Sequence, residues 1–132
     1  MKGTTNHVAA CASNGYLSLV GSEPAMLESV ENLKSGLLRN ETRTIVVDPE
    51  SSNVDTIKPV TRIRFEIASG PVMVRIDQEI AVLSGGAREL GKLVDQMLNL
   101  IADGPGRSEI LRVFDDAYDH IDASTHIDFV VT

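Results

Sequence analysis

Ile63-Arg64-Phe65-Glu66-Ile67 and Ile127-Asp128-Phe129-Val130-Val131 are two alternating stretches, one near the middle of the chain and one at its end. In each, large apolar side chains fall on every second position, the period of a strand with one face in a core. Working back from either stretch meets the same order of elements: a hairpin, an amphipathic helix, a strand and a polar connection.

In the first half, Asn14-Gly15 predicts a hairpin joining Val8–Ala12 to Tyr16–Val20, because a type I′ turn needs positive φ at both central residues and Asn-Gly supplies it at low cost. Ser22 is positioned to cap a helix with Pro24 in its first turn, and Leu27, Val30, Leu33, Leu37 and Leu38 follow on one face. Thr42–Val47 reads as a β-branched strand closed by Asp48-Pro49. Glu50–Pro59 reads as a surface loop, and Arg62–Ile67 as a strand with one wet face.

The second half repeats the order. Val72–Ile76, an Asp77-Gln78 connection and Ile80–Leu83 make a hairpin, and Gly85-Gly86 leads into a helix over Ala87–Ala102. The apolar face of that helix, Leu90, Leu93, Val94, Met97, Leu98 and Ile101, is broader than that of the first, and Gly104-Pro105-Gly106 stops it. Glu109–Phe114 is the next strand, Asp115–Thr125 a polar loop, and Ile127, Phe129 and Val131 line the last strand. Setting Val20 beside Leu83, Leu27 beside Leu90, Val30 beside Leu93 and Phe65 beside Phe129 aligns the halves with small gaps. The expected fold is α+β: a tandem pseudo-repeat of a ββαββ unit, about 7–68 and 72–132 of a single domain. Antiparallel sheet is expected, with the two amphipathic helices packed on one face.

The totals bound the function. A chain of 132 residues is long enough to bury a real core, and with two Tyr, three Phe and no Trp that core must be aliphatic. The net charge of -7 opposes attraction to nucleic acid and anionic membranes and favours a basic protein partner. One cysteine, Cys11, excludes an internal disulfide, so a cytoplasmic setting is the default. Val8-Ala9-Ala10-Cys11 has the small residues of a lipoprotein cleavage box but follows a polar segment rather than an apolar one. It reads as strand, and the protein as soluble and uncleaved.

No catalytic motif, cofactor site or metal site emerges. Asp115-Asp116-Ala117-Tyr118-Asp119-His120-Ile121-Asp122 is the densest polar cluster, yet it lacks the Gly and terminal Glu of a calcium loop and the paired histidines of a zinc helix. His126 is expected on the polar face of the last strand. Gly85-Gly86 lacks the Gly-Lys-Ser/Thr of a phosphate loop, and Ser22 lacks the context of a nucleophile. Cys11 reads as a packed thiol, and Arg62, Arg64 and Arg75 as partners in cross-strand ion pairs with Glu66 and Asp77. From Asp103 to Thr132 seven acids face Arg107 and Arg112, so Asp115, Asp116, Asp119 and Asp122 are nominated as an acidic patch for a basic partner.

The segment from Val72-Met73-Val74-Arg75-Ile76 through Ile80–Gly85, the helix Ala87–Ala102 and the closing Ile127-Asp128-Phe129-Val130-Val131 resembles small bacterial immunity proteins of polymorphic toxin systems. Members of that group often carry histidines in the strand after the helix, where this chain has Ile110-Leu111-Arg112-Val113-Phe114, so no binding residue transfers. The resemblance implies a non-enzymatic protein-binding module that inhibits a cognate toxin, with a basic toxin domain suited to the acidic surface. Read from Tyr16, the order of elements also looks like the paired units of a sliding-clamp domain, although Glu28, Glu31, Glu89 and Asp95 disfavour encircling DNA. The competing expectation is a small-ligand-binding or enzymatic domain with a pocket at the seam between the halves. Homo-oligomerisation is compatible with each reading.

Overall fold

A computed structural model of the chain describes residues 8–104, 108–112 and 125–132. Asn14-Gly15 closes a two-residue hairpin between β1 (Ala9–Ser13) and β2 (Tyr16–Gly21), with Ser13 opposite Tyr16. Its turn is not type I′. Gly15 has φ 87°, whereas Asn14 is not among the residues with positive φ, so only the second central residue occupies that region. The second hairpin, β7 (Met73–Asp77) and β8 (Ile80–Gly85), turns at Gln78-Glu79, one residue later than expected, with Gln78 at φ 56°.

The helices α1 (Glu23–Arg39) and α2 (Ala87–Ala102) follow the two hairpins directly. Ser22 occupies the N-cap of α1 but its hydroxyl makes no capping bond; the carbonyl alone accepts, from Met26 N–H at 2.9 Å. Asn40 ends the helix in the left-handed region, and its N–H donates to the carbonyls of Gly36 and Leu37. The buried stripe of α1 is Ala25, Met26, Val30, Leu33 and Gly36, rotated from the expected one: Leu27 is 37% exposed and Leu38 80%. In α2 the stripe is Leu90, Leu93, Val94, Met97, Leu100 and Ile101, with Leu98 on its rim. The buried face of α1 mixes the small Ala25 and Gly36 with Met26, Val30 and Leu33, whereas that of α2 consists of large apolar residues alone.

The remaining strands are β3 (Arg43–Val46), β4 (Asp48–Pro49), β5 (Lys58–Pro59), β6 (Arg62–Ile67), β9 (Ser108–Arg112) and β10 (His126–Val131). Two short pairings thus interrupt the expected loop over 50–59 and its flank, both on the outer edge of β1. Their prolines sit where no ladder donor is needed. The strands form two sheets rather than an all-antiparallel array. The first runs β4-β1-β2-β10-β9, with β5 also on β1, and the second runs β3-β6-β8-β7. In each sheet the central pair is parallel: β2 with β10, and β6 with β8. The antiparallel expectation fails because each sheet takes its first hairpin from one half of the chain and its closing strands from the other. Strands brought together that way need not alternate in direction.

The alternation of the two opening stretches holds. Ile63 and Phe65, and Ile127 and Phe129, point inward, at 0%, 6%, 0% and 1% exposure. They join Leu17, Leu19, Leu83 and both helical stripes in one contiguous core. Burying each such aliphatic or aromatic side chain is worth roughly 1.5–3 kcal/mol. Elements also recur at a fixed interval: Ala9, Tyr16, Glu23 and Arg62 open β1, β2, α1 and β6, and Met73, Ile80, Ala87 and His126, each 64 positions later, open β7, β8, α2 and β10. This interval matches Phe65 to Phe129 as expected, but pairs Leu19 with Leu83 and Met26 with Leu90, one residue from the sequence alignment.

Candidate functional site

Alternation along β1, β2 and β10 sends Cys11, Tyr16, Ser18, His126 and Asp128 to the face of the first sheet opposite the core. Cys11 lies opposite Ser18, and Ser18 opposite Asp128, so these three form one row across the sheet. Glu50, just past β4, closes over the row. Its backbone N–H donates to Ala10 O at 2.9 Å, and its carboxylate accepts from Ser18 Oγ at 3.3 Å and Cys11 Sγ at 3.5 Å. Burial, with the Glu50 charge behind it, pushes the Cys11 thiol from its ordinary 9.0 up to about 11. At neutral pH only about one thiol in ten thousand is ionised, so Cys11 is a hydrogen-bond donor there and not a nucleophile.

Tyr16 is likewise raised, by burial first. Asp128 is raised by burial alone, and its Oδ1 is buried with no hydrogen-bond partner among the described residues. Burial thus disfavours the ionised form of Cys11, Tyr16 and Asp128 alike. What the row does physically is pin the chain after β4 onto the sheet through one carboxylate that accepts two hydrogen bonds.

A second feature lies at the edge of β3 that faces away from β6. In the β3–β6 ladder Val47 N–H donates to Thr61 O at 3.0 Å, which makes 47 and 61 a hydrogen-bonded pair and, by alternation, Ile45 with Ile63 and Arg43 with Phe65 as well. The N–H and C=O groups of Thr44 and Val46 then point away from β6. No described strand lies on that side. Instead a cleft of about 230 Å³ opens there, lined by Thr44, Ile45 and Val46, by Glu28, Ser29 and Asn32 of α1, and by Val8. Its two ends are fixed. At one, Arg43 donates to Asn32 Oδ1 at 2.9 Å and pairs with Glu41 at 2.8 Å; at the other, Asp48 N–H donates to Val8 O at 2.8 Å.

The outer face of the second sheet carries the arginines. The expected cross-strand pairing is met in part: Arg75 of β7 lies 3.4 Å from Glu66 across β8, Arg64 lies 3.7 Å from Glu66 within β6 itself, and among the described residues Arg62 and Asp77 join no such pair; Arg64 and Arg75 flank Val82 from the strands on either side of it. Their stems account for Val82 being fully buried on an outward face. Gly86 caps α2, its N–H donating to Gly70 O at 3.0 Å, and the Glu89 carboxylate folds back to where a Gly86 side chain would stand. That helix end therefore already has its anion. Two further grooves lie between the halves: about 270 Å³ among Lys34, Leu37, Leu38, Ala87, Gly91, Val94 and Asp95, and about 320 Å³ where the Asn14-Gly15 turn meets β7.

Of the residues nominated from sequence, Asp115, Asp116, Asp119 and Asp122 lie outside the described residues, as does His120. His126 is exposed as expected. No sequence pattern brings Cys11, Ser18, Glu50 and Asp128 together as a group. Cys11 and Ser18 are equidistant from Asn14-Gly15 and so were readable as cross-strand neighbours, but Asp128 arrives through a parallel pairing that no local signal announces. Among the described residues no cluster of three or more His, Cys, Asp or Glu side chains is placed to hold a metal ion, and no helix is long and apolar enough to cross a membrane. No protein-family model and no curated protein matches the chain.

Proposed function

We propose that the chain is a non-enzymatic protein-binding module for a basic partner, acting as an inhibitor in the way the immunity proteins resembled by its second half act on toxins. The observation that supports this most is the outer edge of β3, where no strand among the described residues pairs with the donors and acceptors of Thr44 and Val46, and where Val46 is 62% exposed. Such an edge invites another chain. Net charge supplies the sign of the partner. The test is affinity purification of the full chain alongside the protein encoded next to its gene. A stoichiometric complex that weakens with salt is expected, and recovery of no protein partner contradicts the proposal.

We also infer that the chain is a tandem duplication of a ββαββ unit, with the closing strands of each unit exchanged into the sheet of the other. The 64-residue interval between the openings of four pairs of elements supports this, as do paired details that packing alone does not require. Asn40 and Gly104, at that interval, both have positive φ after a helix. Ala68 N–H donates to Gly85 O and Thr132 N–H to Gly21 O, again at that interval.

A further inference from the structure

We infer that the cleft between β3 and α1 is a strand-addition site that takes an extended basic segment of the partner. The inference rests on the protein-binding reading above and adds the place and the chemistry. Thr44 and Val46 present two N–H donors and two C=O acceptors on one side, spaced two residues apart as in any sheet ladder. An incoming strand that pairs with them extends the second sheet to β3's open side, and the fixed ends of the cleft limit the pairing to a segment of about five residues.

Side chains of the added strand alternate between two environments. One set faces α1, where Glu28 is exposed and takes no ion pair with any described residue, beside Ser29 and Asn32. The other lies beside Val46 and Thr44 on the outer face. Lysine or arginine suits the first set and a β-branched residue the second. A second copy of this chain, carrying the same charge of -7, is repelled where a basic segment is drawn in.

The test titrates the full ¹⁵N-labelled chain with an octapeptide of alternating lysine and valine. Controls are a block peptide of the same composition and an alternating glutamate–valine peptide. The alternating basic peptide is expected to bind, shifting the Thr44 and Val46 amides and slowing their hydrogen exchange. Thr44→Pro removes only an outward N–H on an edge strand, which the fold tolerates, and is expected to weaken binding about tenfold. Val46→Pro is the second variant if the first alters the circular dichroism spectrum, and Glu28→Lys is expected to turn the preference toward the glutamate peptide. Amide changes centred elsewhere, equal binding of the block peptide, concentration-dependent pairing of the chain with itself through β3, or no binding at millimolar peptide would each overturn the assignment. If the proline variants still hold the co-purified partner with unchanged affinity, the edge assignment fails while the protein-binding reading stands; if no partner is recovered at all, it is the broader reading that fails.

Discussion

Gly21 and Gly85 occupy matching places at the ends of β2 and β8, yet alanine at the two should behave differently. A Cβ on Gly85 would lie 3.1 Å from Val72 Cα, 3.2 Å from its Cγ2 and 3.3 Å from its N. Those atoms are mostly backbone, which cannot swing aside as a side chain can. A Cβ on Gly21 would meet Met26 Sδ at 3.2 Å and Cγ at 3.3 Å, the middle of a flexible side chain, and Val8 Cα at an ordinary 3.4 Å. Overpacking costs about 1–3 kcal/mol where nothing can move, and replacing glycine returns roughly 0.4–1 kcal/mol through the unfolded chain. Gly85→Ala is therefore expected to lose about 1–2 kcal/mol, and Gly21→Ala to stay within about 0.5 kcal/mol of the parent. Urea unfolding at equal slope reads the difference as a shift in midpoint. A Gly85→Ala protein as stable as Gly21→Ala would refute the reasoning.

Other outcomes follow from the same structure. Asp128 has a folded pKa raised above its ordinary 3.8, so its contribution to stability is complete below that value and lost as pH rises through the folded pKa. Asp128→Asn should accordingly raise Tm at pH 7, by a gain that disappears on acidification, and thermal unfolding across that range checks it. For Cys11 the same sign places the loss between pH 9 and about 11. Alkylation by iodoacetamide should be slow at pH 8 in the folded chain and fast in urea; rapid folded-state labelling would contradict the buried, hydrogen-bonded thiol. Phe129→Ala, at a position 1% exposed, should cost about 3–5 kcal/mol in chemical denaturation. Separate polypeptides 1–69 and 70–132 should each lack cooperative unfolding and regain it when mixed, because each sheet needs strands from both.

Much of this fold was legible locally. Period-two alternation identified β6 and β10, turn chemistry placed the Asn14-Gly15 hairpin, and helical spacing found both helices. What local patterns do not encode is which strands pair across the chain: Ile63 is equally content beside Ala81 or beside a strand of its own half, since either buries the same face. Parallel pairing therefore has no local signature, and neither has the row that joins Asp128 to Cys11 and Ser18. Helical spacing alone misplaces the stripe of α1 for a related reason. Leu27 and Leu38 outrank Ala25 and Gly36 in hydrophobicity, but the side turned to the core is the one that carries Ala25, Met26, Val30, Leu33 and Gly36, and at Gly36 the Arg43 side chain and Glu41 O leave no room for a Cβ. The β3 cleft had a partial signal, a β-branched Thr42–Val47 run; whether its edge was covered depended on topology.

That topology is also what leaves β3 open, since β6 gives its other side to β8 and no described strand remains for β3. Backbone NOEs in the labelled full chain test it most directly. The account predicts cross-strand contacts joining the halves, Leu17 with Ile127 and Leu19 with Phe129 in one sheet, Ile63 with Ala81 and Phe65 with Leu83 in the other. Contacts that instead join β2 to β6 and β8 to β10, each half closing its own sheet, would contradict it.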